Sequence, residues 1–210
     1  NANQVKELQI MSIKKNLKVA VNYEYRAVPL FMQAKRIISQ QKLENPWFVK
    51  LDWLMSSRAN KDRPWNWYSD SDLGGGVLGA LGTHAVDMLH WLIGPTHSIS
   101  SLNSTSIKER ICSESGIYKQ VTSEDVSISQ IQIKGTNNNL IPVQLNLSSV
   151  TTDSKGFSLE IYGDNGTLIL SSENQKDYVH GFGLWFSTKG DILKNIQPDS
   201  DLSFSKIWTD

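Results

Sequence analysis

The side chain best suited to chemistry in this chain is His84. It lies in Gly74-Gly-Gly-Val-Leu-Gly-Ala-Leu-Gly-Thr-His-Ala-Val-Asp-Met-Leu-His-Trp-Leu-Ile-Gly94. Drawn as a helix at about 100° per residue, this run gathers Val77, Leu78, Leu81, Ala85, Met88, Leu89 and Leu92 into one apolar arc. His84 falls at the edge of that arc, with Ala80, Asp87 and Trp91 on the same flank. A half-buried imidazole titrates near neutrality and can act as general acid or base toward a hydroxyl. The same position suits a core-edge histidine bonded to a backbone carbonyl, and the sequence leaves both readings open. Asp87, three residues on, can orient His84, bind a substrate hydroxyl, or serve in a structural salt bridge.

Other residues add to this picture. Arg26 follows an apolar stretch, where a strand end can present an active-site cation. Its alternative is a surface arginine paired with Glu24. Trp65, Trp67 and Tyr68 share a polar loop, and such rings either stack on sugars or plug gaps between a helix and a sheet. Gly74 to Gly79 fits G-x-G-x-x-G at the start of a helix. A dinucleotide fingerprint follows a buried strand directly. Here Trp65 to Leu73 precede it, and Asp70 and Asp72 would repel phosphate. The glycines therefore read as close packing, or as backbone of Gly75 and Gly76 lining a small-molecule pocket. His90 and His97 do not join His84 in a ligand set, so no metal site is expected. There is no Gly-x-Ser-x-Gly elbow. The lone Cys112 sits in a serine-rich stretch without a basic partner and reads as a bystander.

These residues need elements to position them. Residues 4–14 carry modest helical spacing, and Lys18-Val-Ala-Val-Asn-Tyr-Glu-Tyr25 reads as a short apolar strand. Pro29 opens a helix whose buried stripe is Leu30, Ala34, Ile37 and Ile38. Residues 47–55 alternate, with Trp47, Val49, Leu51, Trp53 and Met55 on one side. Gly94-Pro95 ends the histidine helix. The second half reads as strand after strand, with a hairpin turn at Gly163-Asp-Asn-Gly166. Val126 and Ile128 are out of phase with Ile131 and Ile133, which predicts a β-bulge. The expected fold is α+β: a large open, mainly antiparallel sheet with helices on one face. The other face is solvated or meets a second subunit.

Composition narrows the function classes. The chain has 210 residues, with 21 basic and 21 acidic side chains, so its formal net charge is zero. That argues against nucleic-acid or anionic-membrane partners. No apolar run approaches the roughly 18 residues of a membrane span. One cysteine excludes an internal disulfide, and a cytoplasmic setting fits best.

Three spaced motifs resemble one family. Val19-Ala-Val-Asn-Tyr-Glu-Tyr-Arg26-Ala-Val-Pro29 resembles a strand ending in Arg-x-x-Pro. Trp65 to Asp87 resembles a Trp-containing loop, a glycine triplet and a Gly-x-His-x-x-Asp helix, closed by Gly94. Leu159 to Leu168 resembles a late hairpin. The family is the Gfo/Idh/MocA group of NAD(P)-dependent oxidoreductases. The resemblance implies residues 1–26 as the last helix and strand of a Rossmann domain, and 27–210 as a C-terminal domain for substrate binding and oligomerisation. It implies hydride transfer on a sugar- or polyol-like substrate. His84 would be catalytic, and Arg26, Trp65, Asp87, Gly75 and Gly76 would line the substrate site. NAD or NADP would be bound mostly by residues upstream of Asn1. This chain alone is then expected to hold no cofactor tightly and to be inactive. A homodimer or higher assembly through the sheet face is implied. One position departs from the pattern: Ala80 stands where sugar-oxidising members usually carry Asp, four residues before the histidine. That leaves a non-catalytic ligand-binding or interaction domain as the alternative.

Overall fold

A computed structural model describes residues 2–174 and 181–202. Its framework is an eight-stranded sheet in the order β10-β9-β8-β7-β1-β6-β5-β2. The strands are β1 (Pro46–Leu54), β2 (Thr96–Ser104), β5 (Val126–Lys134), β6 (Leu140–Ser148), β7 (Gly156–Gly163), β8 (Gly166–Ser172), β9 (Gly183–Thr188) and β10 (Lys194–Ile196). A separate ribbon pairs β3 (Glu109–Ile111) with β4 (Tyr118–Gln120). Within the large sheet only β1 and β6 run parallel; the other neighbours are antiparallel. The expected α+β class with a mainly antiparallel open sheet is what the structure has.

Alternation decides the two faces. Val49, Leu51 and Trp53 of β1 point inward beside Val143, Leu145 and Leu147 of β6 and Phe157, Leu159 and Ile161 of β7. Helices α2 (Pro29–Ser39) and α3 (Thr83–Leu92) cover this face with Phe31, Ala34, Ile37, Ala85, Met88, Leu89 and Leu92. The larger of these side chains (Phe, Ile, Leu, Met) each contribute about 1.5–3 kcal/mol when fully buried, so this layer is the main source of stability. Pro29 takes the first turn of α2 as expected. On the outer face, Lys50 bonds Asp52 at 2.7 Å, and Asn146 Nδ2 donates to Asp52 at 2.6 Å. The hairpin expected at Gly163 to Gly166 joins β7 to β8.

Three local expectations are corrected. The stretch 18–23 has no regular secondary structure and pairs with no strand among the described residues, and Glu24–Ala27 is a 3-10 turn. A strand needs a ladder partner, and Val19 and Val21 instead stand exposed. Helix α1 (Ala2–Lys14), before it, buries no residue. The histidine segment is not one regular helix either. Gly74 and Gly76 adopt positive φ of 75° and 90°, Leu78–Gly82 forms a π-turn, and α3 begins only at Thr83. Wide π-turns occur as single insertions in helices, and they upset any wheel drawn at one fixed angle. Finally, β5 contains no bulge: Val126 to Lys134 pair residue by residue with Ser148 to Leu140. Ser127 and Ser129 simply point inward, and Ile128 points out. The Ser129 hydroxyl is satisfied by Ser101 across the ladder at 2.7 Å. The register shift lies in β2, between Thr96 and Ser98.

Candidate functional site

The start of the histidine helix is built from a distant segment. Val77 N–H donates to the Glu124 carbonyl, and Leu78 N–H donates to Glu124 Oε1, both at 2.9 Å. A carboxylate at a helix start satisfies donors that the helix cannot pair itself. Glu124 thereby occupies the spot a phosphate would need. A Cβ on Gly76 would strike this same Glu124 side chain. A Cβ on Gly75 would lie 2.5 Å from the carbonyl oxygens of Trp67 and Tyr68. Both glycines are closely packed, and the space beside Gly75 is filled by its own loop.

Arg26 and Asp87 meet. Arg26 Nε donates to Asp87 Oδ2 at 2.8 Å and its Nη2 to Oδ1 at 2.5 Å. The Asp87 side chain is 9% exposed and that of Arg26 46%. The carboxylate holds the guanidinium proton more tightly, raising the Arg26 pKa against a smaller opposing effect of burial. Tyr23 and Trp91 flank the guanidinium, each ring centre 5.9 Å away. The pair fastens the Arg-x-x-Pro turn to α3 one turn beyond His84.

His84 itself sits among aromatic rings. Tyr25 lies 5.3 Å from its ring centre and Tyr23 5.9 Å, both edge-on, with Trp53 of β1 at 6.5 Å. Its Nδ1 is buried and has no hydrogen-bond partner. An unmatched buried polar atom costs about 1–3 kcal/mol, and the chain supplies this nitrogen with no group to offset that cost. No backbone carbonyl takes this nitrogen. The neighbouring Ala80 supplies no polar atom from its side chain.

Tyr23 links this ring to an adjoining cleft of about 400 Å³, which is also lined by Thr83, Asp87, His90 and Ser129. The sequence reading passed over Tyr23 and Tyr25, although their alternation before Arg26 was a usable signal. Glu124 gave none, because its role comes from 46 residues away.

Trp65 is engaged elsewhere. Its indole N–H donates to the Gln120 carbonyl of β4 at 3.0 Å, and the Lys119 ammonium lies 3.4 Å from its ring centre. Nearby, Arg110 is buried and donates to the carbonyls of Arg58, Asn60 and Arg63. Burial lowers the pKa of Arg110 and of Arg58, with Arg63 repelling both. Arg58 stacks 4.1 Å from the ring centre of Tyr68, whose phenol burial pushes up. This cluster shapes the loop above the glycines. No group of three metal-ligating side chains occurs among the described residues.

Comparison with known proteins agrees with the fold. The pattern of the oxidoreductase family's C-terminal alpha/beta domain (Gfo/Idh/MocA) matches residues 35–198. An uncharacterized oxidoreductase of Synechocystis sp. is 37% identical over 205 residues, covering 97% of this chain and 54% of that protein. Levoglucosan dehydrogenase of Pseudarthrobacter phenanthrenivorans is 30% identical over 97 residues, 46% of this chain and 25% of that protein. A solved levoglucosan dehydrogenase, in complex with NADH and L-sorbose, has a TM-score of 0.72 at 20% identity, over 86% of this chain and 48% of that one. An NAD binding oxidoreductase from Klebsiella pneumoniae has a TM-score of 0.81 at 19% identity, over 96% of this chain and 52% of that one. The chain thus spans about half the length of the Synechocystis and Klebsiella proteins. On the family match, the chain belongs to the Gfo/Idh/MocA oxidoreductase family, and its residues 35–198 are that family's C-terminal α/β domain.

Proposed function

We propose that this chain is the substrate-binding and dimerisation domain of an NAD(P)-dependent oxidoreductase that acts by hydride transfer on a sugar- or polyol-like substrate. The observation that carries the reading is the His84 imidazole, held by aromatic rings with a buried nitrogen that the chain leaves unmatched. The similarity to levoglucosan dehydrogenase supports the substrate class. Residues 1–26 belong, in this reading, to the Rossmann part. The bare surface of α1 and the exposed Val19 and Val21 support that division. A cytoplasmic setting goes with it.

The described residues do not fit the pyrophosphate of a dinucleotide, because Glu124 fills the helix start behind the glycines. The cofactor cradle is therefore assigned to the half of the relatives that this chain does not span. A nicotinamide cofactor held there would supply the hydride acceptor or donor. This chain holds the substrate hydroxyl, and His84 takes up or returns its proton. Arg26 and Asp87 act by fixing α3 against the turn that carries Tyr23 and Tyr25. The outer sheet face, with Lys50, Asp52 and Glu160, joins subunits.

The test is His84→Ala in the full-length protein, followed by NAD(P)H absorbance with a panel of sugars and polyols. Turnover should fall by about 10²–10⁴-fold, with KM little changed. Turnover equal to the unaltered protein would sink the assignment. Ala80 favours a second reading, in which the fold binds a ligand without converting it. In that case the unaltered protein binds sugars but shows no NAD(P)H-linked turnover, and Ala80→Asp creates none.

A further inference from the structure

Strand β2 is a sheet edge with little of the usual protection. It is nine residues long, exposed along almost all its length, and ends the sheet. Thr96 to Ser104 contain no Asp, Glu, Lys, Arg or Pro. Natural edge strands are normally shortened, charged, bulged or covered, since their free N–H and C=O groups recruit other strands. The opposite edge, β10, obeys that rule with three residues. In β2 the irregularity is confined to the start, at Thr96 and Ser98. Ile99 and Leu102 are 55% and 71% exposed.

We propose that β2 pairs antiparallel with β2 of a second copy of this chain, continuing the sheet across a two-fold axis. This contact is separate from the sheet-face contact proposed above and does not rest on the catalytic reading. Three features favour a second copy as the occupant. First, the strand lacks formal charges, so two copies meet without like-charge repulsion. Second, a two-fold normal to the sheet keeps inner side chains inner and outer ones outer, and both central registers then match large to small. Centred on Ser100, Ile99 faces Ser101 and Leu102 faces Ser98. Centred on Ser101, Ile99 faces Asn103 and Leu102 faces Ser100. Third, there is room on both sides. A groove of about 660 Å³ on the outer face is lined by Ser98, Ile128, Gln130 and Pro142. The inner cleft is lined by Val86, Ile99, Ser129 and Leu145. The copy's Leu102 lands beside the outer groove and its Ile99 beside the cleft.

The experiment compares the full-length protein with its Ser100→Lys variant by sedimentation equilibrium and by amide hydrogen exchange across residues 96–104. Ser100 is an exposed edge position, where substitutions usually move stability by no more than about 0.5 kcal/mol. The variant either sets two lysines against each other or buries one against Leu102. The expected result is loss of one association step, with outward-facing β2 amides exchanging at least tenfold faster in the variant. Identical sedimentation of the two proteins, at whatever size, overturns the proposal. A smaller variant whose β2 amides keep their original protection overturns it as well, since the strand is then covered from within its own molecule.

Discussion

Arg26 holds Asp87 with two parallel hydrogen bonds across 61 residues of sequence. That clamp joins the turn before α2 to the middle of α3 and so fixes the ring of His84 relative to Tyr23 and Tyr25. It also gives two residues that the sequence offered as substrate ligands a structural partner in each other. The Asp87 carboxylate has given two of its roughly four acceptor sites to Arg26, whereas the buried His84 Nδ1 nearby has no partner.

The clamp predicts a definite stability effect. Exposed ion pairs contribute about 0–1 kcal/mol, while breaking a buried one costs about 3–5. With Arg26 half in solvent and Asp87 almost covered, Arg26→Ala should cost about 1–2 kcal/mol after screening. Arg26→Lys, which gives up the two-pronged geometry, should recover only part of that. Urea unfolding of the single and double variants with Asp87→Ala measures the coupling. Additive effects would mean that the two side chains do not stabilise each other.

The glycine triplet predicts a ranking. Gly74 has a φ of 75° and open space within 4 Å of where a methyl would sit, so Gly74→Ala carries only the left-handed penalty of about 1–2 kcal/mol. Gly76→Ala adds an overlap with Glu124 and disturbs the helix start. Gly75→Ala drives a methyl into three backbone oxygens, of Trp67, Tyr68 and Asp70, which move only if the loop moves. It should cost about 3 kcal/mol or more, the upper end for overpacking. Thermal unfolding gives the order, and a Gly75→Ala protein as stable as Gly74→Ala would refute the packing account.

Much of the fold was legible because alternation and apolar periodicity report burial directly. Val49, Leu51 and Trp53 gave β1, and Ala34 with Ile37 gave α2. What failed did so where a distant partner decides the outcome. Residues 18–23 have strand character but meet no ladder, the inward Ser129 hydroxyl is matched by Ser101 on the neighbouring strand, and Leu78 begins a π-turn under Glu124. At the site, the residue type of His84 was readable from its wheel position. Its surroundings were not, since Tyr25 and Trp53 reach it from other elements. That Arg26 and Asp87 pair with each other depended on a contact across 61 residues.

The outer sheet face offers a pH-dependent test. Tyr162 donates its phenol proton to Glu160 Oε2 at 2.5 Å, and Ser158 donates to the other oxygen at 3.1 Å. That bond, reinforced by burial and the carboxylate's charge, pushes the Tyr162 pKa up to about 12. The folded state thus holds the proton more tightly than the unfolded chain, whose phenol ionises near about 10. The stabilising effect is complete below that pH and fades as pH rises through the folded value. Tyr68 also titrates late, but chiefly through burial, with Glu124 and Asp125 adding to it at a distance. Glu160→Gln should therefore return one phenol toward its ordinary range in an ultraviolet titration and leave Tyr68 in place, while Tyr162→Phe removes that same step. If Glu160→Gln leaves the high-pH titration unchanged, the carboxylate is not the acceptor and the polar network beside Lys50 is drawn wrongly.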